Sequence, residues 1–329
     1  MFKDTEDFQQ YLPVTNTFSI EAANYAINKA IRGFIIPNIS QTEYESLLAD
    51  YQANTLNNIR LQAWKYIQEI TANFAFAFHL PFGDVQASSG TMSRIENENH
   101  KSLFKYQKQE MKEEAIKTGL EILEILLQFM ETNKAEFPLW TASPFYTIHL
   151  EYFLQTAEQF SKSVPIGNSR LLFKQIKPLL FENEELYLVP LLGEELYLEL
   201  KNKLKNNNLS AIEKILQDKI NAYLSRMIMF KAIPYLNISF KDGLIRYTAK
   251  DDDNTKQESQ TPDNHLAFLL RDLQLQSETR KTLLIEFLQK QFTDFAEFAN
   301  FQTSKFYKPP ILIVEPIIMN TKKDTTFFF

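Results

Sequence analysis

The feature that most constrains this chain is a message spelled twice at a fixed spacing. Phe34-Ile-Ile-Pro37 returns as Tyr187-Leu-Val-Pro190, 153 residues later. Tyr44 and Leu47 return as Tyr197 and Leu200, Leu80-Pro-Phe82 as Ile233-Pro-Tyr235, and Gly90 as Gly243. A constant offset over so long a stretch is a register, not a similarity of composition. The fold must therefore be one that can be built twice in tandem. At 329 residues, each half is long enough to bury its own core.

Ile20, Ala23, Ile27, Ile31 and Phe34 recur at helical spacing and predict an amphipathic helix over about 19–35. Pro37, like Pro190 in the second copy, is expected to end its helix by removing a backbone donor. Thr42-Glu-Tyr-Glu45 fits a capping box for a short second helix. The third helix carries Leu56, Ile59, Ala63, Ile67, Ile70, Phe74 and Ala77. Their counterparts at the same offset are Leu209, Ile212, Leu216, Ile220, Tyr223, Met227 and Phe230, all apolar or aromatic. One buried stripe recurs. Ser210 and Glu213 form a capping box where the first copy has Asn57 and Arg60.

Ile238 and Phe240 before Asp242-Gly243, with Ile245 and Tyr247 after it, predict a β-hairpin. Val85, Ala87, Ser89-Gly90 and Met92 give a weaker copy, with Gly90 and Gly243 expected at positive-φ turn positions. A long fourth helix closes each copy, over about 103–130 and about 264–298. There the equivalence shifts to about 163, and the polar run from Asp251 to Thr261 absorbs the difference as a solvated loop. The fold class is thus mainly α: a tandem duplication of a four-helix unit with a small β-hairpin in each copy, plus an extended C-terminal tail. The expected divisions are 1–132, an aromatic and proline-containing segment 133–164 packing between the lobes, 165–300, and the tail 301–329.

Chemistry is scarce. Without cysteine there are no disulfides or thiolate sites, which fits a reducing compartment. A net charge of −6 disfavours a main task of gripping phosphates. The chain lacks the nucleophile elbow, the phosphate loop and the dinucleotide fingerprint, and its seven glycines leave little for a backbone phosphate nest. His79, His100, His149 and His265 are scattered, and His79 reads as a packed histidine. Asp251-Asp-Asp253 lacks the glycine and glutamate of a calcium loop. Glu184-Glu185 and Glu194-Glu195 sit where a helix dipole favours acids, and Lys201, Lys203 and Lys205 where it favours bases. Phe74, Phe76 and Phe78 cannot share one helix face, so that helix is buried on several sides or meets another subunit. No catalytic residue, metal site or cofactor is expected, and the chain is not read as an enzyme. The acidic N-terminus and the lack of a long apolar run predict a soluble protein made in the cytoplasm, without membrane contact.

Helix, Phe-Ile-Ile-Pro, short helix, long helix, hairpin, long helix is an order similar to that of the head–tail connector (neck adaptor) proteins of tailed bacteriophages. The stretches Phe34-Ile-Ile-Pro-Asn-Ile-Ser-Gln-Thr-Glu-Tyr44, Phe137-Pro-Leu-Trp-Thr-Ala-Ser-Pro-Phe145 and Asn168-Ser-Arg170 through Leu188-Val-Pro-Leu-Leu-Gly-Glu-Glu-Leu196 carry a closer resemblance. In these the chain resembles an uncharacterised family of Bacteroidetes phages, prophages and host genomes. The resemblance implies a virion protein of the neck, a homo-oligomeric ring bound to portal and tail proteins, with DNA only as passing cargo. Typical connectors carry one unit per subunit, whereas this chain carries two. Ile311, Ile313 and the terminal Phe327, Phe328 and Phe329 are the expected interaction residues, since a free end gains nothing from exposed rings. The alternative is a monomeric cytoplasmic helical scaffold holding one protein between its lobes.

Overall fold

A computed structural model describes residues 1–12, 20–82, 85–88, 91–94, 104–236, 238–241, 244–247 and 263–309. They are mainly helical. The first lobe begins with a short helix, Thr5–Gln9, that the sequence did not announce; it seats Phe8 in the core. Helix α1 follows as Ile20–Ala30, a wide π-helical turn Ile31–Ile35 and a last turn Ile36–Ile39. Then come α2 (Gln41–Gln52), α3 (Asn58–His79), a strand pair Val85–Ser88 and Thr91–Arg94, and α4 (Lys105–Thr132). The second lobe repeats this order. Its α5 is Arg170–Asn183, a wide turn Glu184–Leu188 and a last turn Val189–Leu192. Next are α6 (Glu194–Lys205), α7 (Ala211–Ala232), the strands Ile238–Lys241 and Leu244–Tyr247, and α8 (Asp263–Gln291). Each strand pair is antiparallel, with Val85 opposite Arg94 and Ile238 opposite Tyr247. Gly90, Gly243 and the acidic run 251–261 lie outside the described residues.

Each core is built around the third helix. The stripe Ala63, Ile67, Ile70, Phe74 and Ala77 is buried, as are Leu216, Ile220, Tyr223 and Met227 in the second lobe. Phe74 stacks on Phe34 at 3.7 Å, and Lys29 lies over Phe78 at 4.4 Å. So α3 is packed on several sides within its own lobe, which accounts for phenylalanines at alternate positions. Ser210 caps α7 reciprocally: its hydroxyl accepts from Glu213 N, and its own N–H donates to the Glu213 carboxylate at 2.7 Å. No helix among the described residues is long and apolar enough to cross a membrane.

The prolines do not stop their helices. The wide turn shifts the hydrogen bonding by one residue, with Ile36 N–H donating to the Ile31 carbonyl and Val189 N–H to that of Glu184. Pro37 and Pro190 then sit in the first turn beyond that shift, where a missing N–H breaks nothing. The helices end three residues later, at Ser40 (φ 72°, ψ 154°) and Gly193 (φ 83°, ψ 149°). Ser40, not Thr42, caps α2 by accepting from Glu43 N at 3.3 Å. The expected capping box lies two residues too late because the chain reverses directly at Ser40.

Other boundaries also move. Helix α8 ends at Gln291 instead of near 298, and Ala296–Thr303 forms a 3-10 helix that buries Phe298 and Phe301. Ser304 Oγ donates to the Leu191 carbonyl at 2.5 Å. Residues 301–309 therefore belong to the second lobe and not to an extended tail. The segment between the copies divides: Phe137 and Trp140 enter the first core, Phe153, Leu154, Phe160 and Val164 the second.

One contrast between the lobes is electrostatic. On α2, Glu43, Ser46 and Asp50 surround Arg60 of α3 at 3.0, 2.9 and 3.1 Å. Their counterparts at the same offset are Leu196, Glu199 and Lys203 around Glu213. Lys203 bonds both Glu213 and Glu199 at 2.7 Å. The same junction is closed twice with opposite polarity.

Candidate functional site

The wedge between the lobes gathers charged side chains from both. It begins where α5 starts against α4. The Glu124 carboxylate accepts from Ser169 Oγ at 2.5 Å, Arg170 N at 2.9 Å and Leu171 N at 3.0 Å, so one lobe caps a helix of the other. From that start, Arg170, Lys174 and Lys177 follow at i, i+4 and i+7 and share a face. Arg170 pairs with Glu131 at 2.7 Å and also with Glu158. Lys174 Nζ donates to Pro37 O at 2.5 Å and Asn38 Oδ1 at 2.9 Å. Trp140 holds the same helix end, its indole N–H donating to Asn38 O at 3.1 Å and its backbone N–H to Glu43 at 2.9 Å. A cation and an indole thus satisfy the carbonyl end of α1.

A cleft of about 70 Å3 opens here, lined by Trp140, Tyr146, Thr156 and Phe173 together with Arg170, Lys174 and Lys177. Burial lowers the pKa of Lys174. It pushes Lys177 down to about 8, with Lys174 adding to the fall and Glu131 opposing it. Burial raises the Glu131 carboxyl, against the pull of Arg170.

The positions singled out in the sequence lie mostly elsewhere. Pro37 reaches the cleft through its carbonyl; Pro190 takes the equivalent place in the second lobe, away from it. Ile311, Ile313 and Phe327 to Phe329 lie outside the described residues, as does His100. The side chains of His149 and His265 do too. His79 is half-buried beside the Tyr25 ring, and burial lowers its pKa.

Glu184 is 1% exposed and clasped by Lys201 at 2.6 Å, Phe153 N at 2.7 Å and Tyr197 OH at 3.3 Å. Burial raises its pKa while those three partners oppose the rise. Lys201 also lies over the Tyr152, Phe153 and Tyr197 rings, and Lys203 is held by two glutamates. Both cations are engaged inside the lobe. Among the described residues no three potential metal ligands converge.

Sequence reasoning missed Glu124, Arg170, Lys174 and Lys177. The i, i+4, i+7 spacing of three cations was readable, but the facing partners on α4, Glu124 and Glu131, lie 46 and 39 residues upstream.

No curated protein and no solved structure matches the chain. One family does, twice: its two matches, residues 35–149 and 188–310, begin 153 positions apart, in the same register as the repeated motifs. Together they span more than two-thirds of the sequence, and the chain belongs to the family of unknown function DUF6712.

Proposed function

We propose that this chain is a structural protein of a tailed-phage or prophage particle, a head–tail connector or neck adaptor that assembles into a ring between portal and tail. In this reading the two lobes are tandem copies of one four-helix unit, each with a β-hairpin. The shared wide turn, the reversal at Ser40 and Gly193, and the doubled family match support the duplication.

The observation that carries the assembly reading is an uncovered apolar row on the closing helix of each lobe. Met111 and Ile125 fall on one face of α4, with Phe104 at its N-cap, and Phe268 and Leu275 on one face of α8; all five are exposed. Lone exposed apolar residues are ordinary, but rows of this kind mark surfaces that meet another chain. Identical subunits joined head to tail through unlike faces form a ring when the rotation between them closes. Residues 310–329, with Ile311, Ile313 and Phe327, Phe328 and Phe329, would reach a neighbour and seat there. A net charge of −6 leaves passing DNA unheld.

The test is a pair of full-length variants, Met111→Glu and Leu275→Glu. Each should dissolve the assembly while changing unfolding free energy by no more than about 0.5 kcal/mol, the usual range for exposed sites. Deleting 310–329 should have the same effect on assembly. If all three assemble like the parent, the reading fails.

A further inference from the structure

We infer that the inter-lobe cleft is a binding site for a small oxyanion of phosphate size, held by Lys177 and Lys174 beside Trp140, Tyr146 and Thr156.

Four observations carry it. The cleft, about 70 Å3, has room for such an ion, since a single water needs roughly 10–15 Å3 of the same kind of space. Its cations outnumber its anions: Arg170, Lys174 and Lys177 face Glu131 and Glu158, and both carboxylates are already bonded to Arg170. The partners of Lys174 are the neutral oxygens of Pro37 and Asn38, which take two of its three N–H donors. Lys177, one turn further along the same face and half-buried in the same cleft, has no hydrogen bond or ion pair with a described residue. Partial burial makes the charged form of Lys177 costly, and pairing with an anion offsets that cost. An oxyanion between the third Lys174 proton and the Lys177 ammonium supplies that pair. It would also join the lobes, because Lys174 is already fastened to the end of α1.

The effect of pH follows from the groups around the cleft. Burial and Lys174 lower the Lys177 pKa to about 8, and Glu131 opposes them. Without an anion the folded chain sheds this proton near pH 8, whereas the unfolded chain keeps it to about pH 10.4. Lys177 therefore makes the wild type gain stability, relative to Lys177→Met, as pH rises between those values. Bound phosphate favours the charged lysine, so binding should weaken toward tenfold per pH unit above about 8.

The experiment is calorimetric titration of the full-length chain with inorganic phosphate, at ionic strength held constant with sodium chloride. A parallel arm uses acetate, to tell a phosphoryl from a carboxylate ligand. Saturable binding of either anion at pH 7, weakened at least tenfold in Lys177→Met, supports the site. Lys177→Arg should bind at pH 7 and keep binding at pH 9.5, where the wild type has largely lost it. This separates a charge requirement from a packing one. No saturable heat above the chloride control, or equal binding by wild type and Lys177→Met, overturns the proposal. If phosphate binds but Lys177→Arg loses it as fast as the wild type above pH 8, the assignment to Lys177 is wrong.

Discussion

Ser40 and Gly193 adopt nearly the same backbone conformation, at φ 72° and 83°, but only one is a glycine. This region costs a residue with a side chain about 1–3 kcal/mol. Ser40, 4% exposed, bears that cost and gains a cap on Glu43 N. Gly193 has no such freedom: a Cβ there would stand 2.2 Å from Thr303 Oγ1 and 2.8 Å from Ser304 N. Exchanging the two residues should therefore give opposite signs. Ser40→Gly relieves strain and loses only a few tenths from the cap, for a net gain of about 1 kcal/mol. Gly193→Ser should lose on the order of 3 kcal/mol from strain and overpacking. Denaturant unfolding of both variants measures this, and a neutral Gly193→Ser would refute the close approach of 303–304. The sequence could not disclose this asymmetry. Gly193 has its reason in a segment 110 residues away, and Ser40 carries no sign of a positive φ.

At the scale of elements, the opposite polarities of the α2–α3 and α6–α7 junctions assign each short helix to its own long one. Laid on α7, helix α2 would bring Glu43 and Asp50 to Glu213, three carboxylates without a base. Laid on α3, helix α6 would set Lys203 against Arg60. Glu43 and Glu213 are 0% and 1% exposed, so the first mismatch has no solvent to soften it. Arg60→Glu alone, facing Glu43 and Asp50, should cost about 3–5 kcal/mol, the range for breaking a buried pair. Rewriting the junction as Glu43→Leu, Ser46→Glu, Asp50→Lys and Arg60→Glu, the arrangement of the second lobe, should recover part of that loss in equilibrium unfolding, since Glu43→Leu also takes the acceptor from Trp140 N–H. A rewritten chain as unstable as the single variant would show that the junction is not a self-contained unit.

The stripes of α3 and α7 were legible because helical spacing depends only on the chain itself. The wide turns before Pro37 and Pro190 were not, since a proline there looks like a stop until the shifted carbonyls are seen. The end of α8 was misplaced for a similar reason: Phe292, Phe295 and Phe298 continue the apolar spacing through a break in the helix.

Over the whole molecule, the register of 153 residues foretold two lobes, and the lobes have separate cores. Their junction was not foretold. It depends on Glu124, Arg170 and Lys174 meeting groups on the other lobe, and no local pattern encodes such a meeting. The linker was expected to pack between the lobes as one piece, yet its aromatic residues are shared out, Trp140 to one core and Phe153 to the other. Burying those rings on both sides fixes where each lobe ends, and the charged wedge then fixes how they abut. The apolar rows on α4 and α8 are left facing outward. The assembly reading stands or falls on what covers them. The most direct test is the mass of the purified full-length chain, by light scattering over a range of concentrations, alone and with a portal, with electron images of each sample. Large closed assemblies, at least with the portal, are the expected result. A single chain of 38.5 kDa under every condition would contradict it.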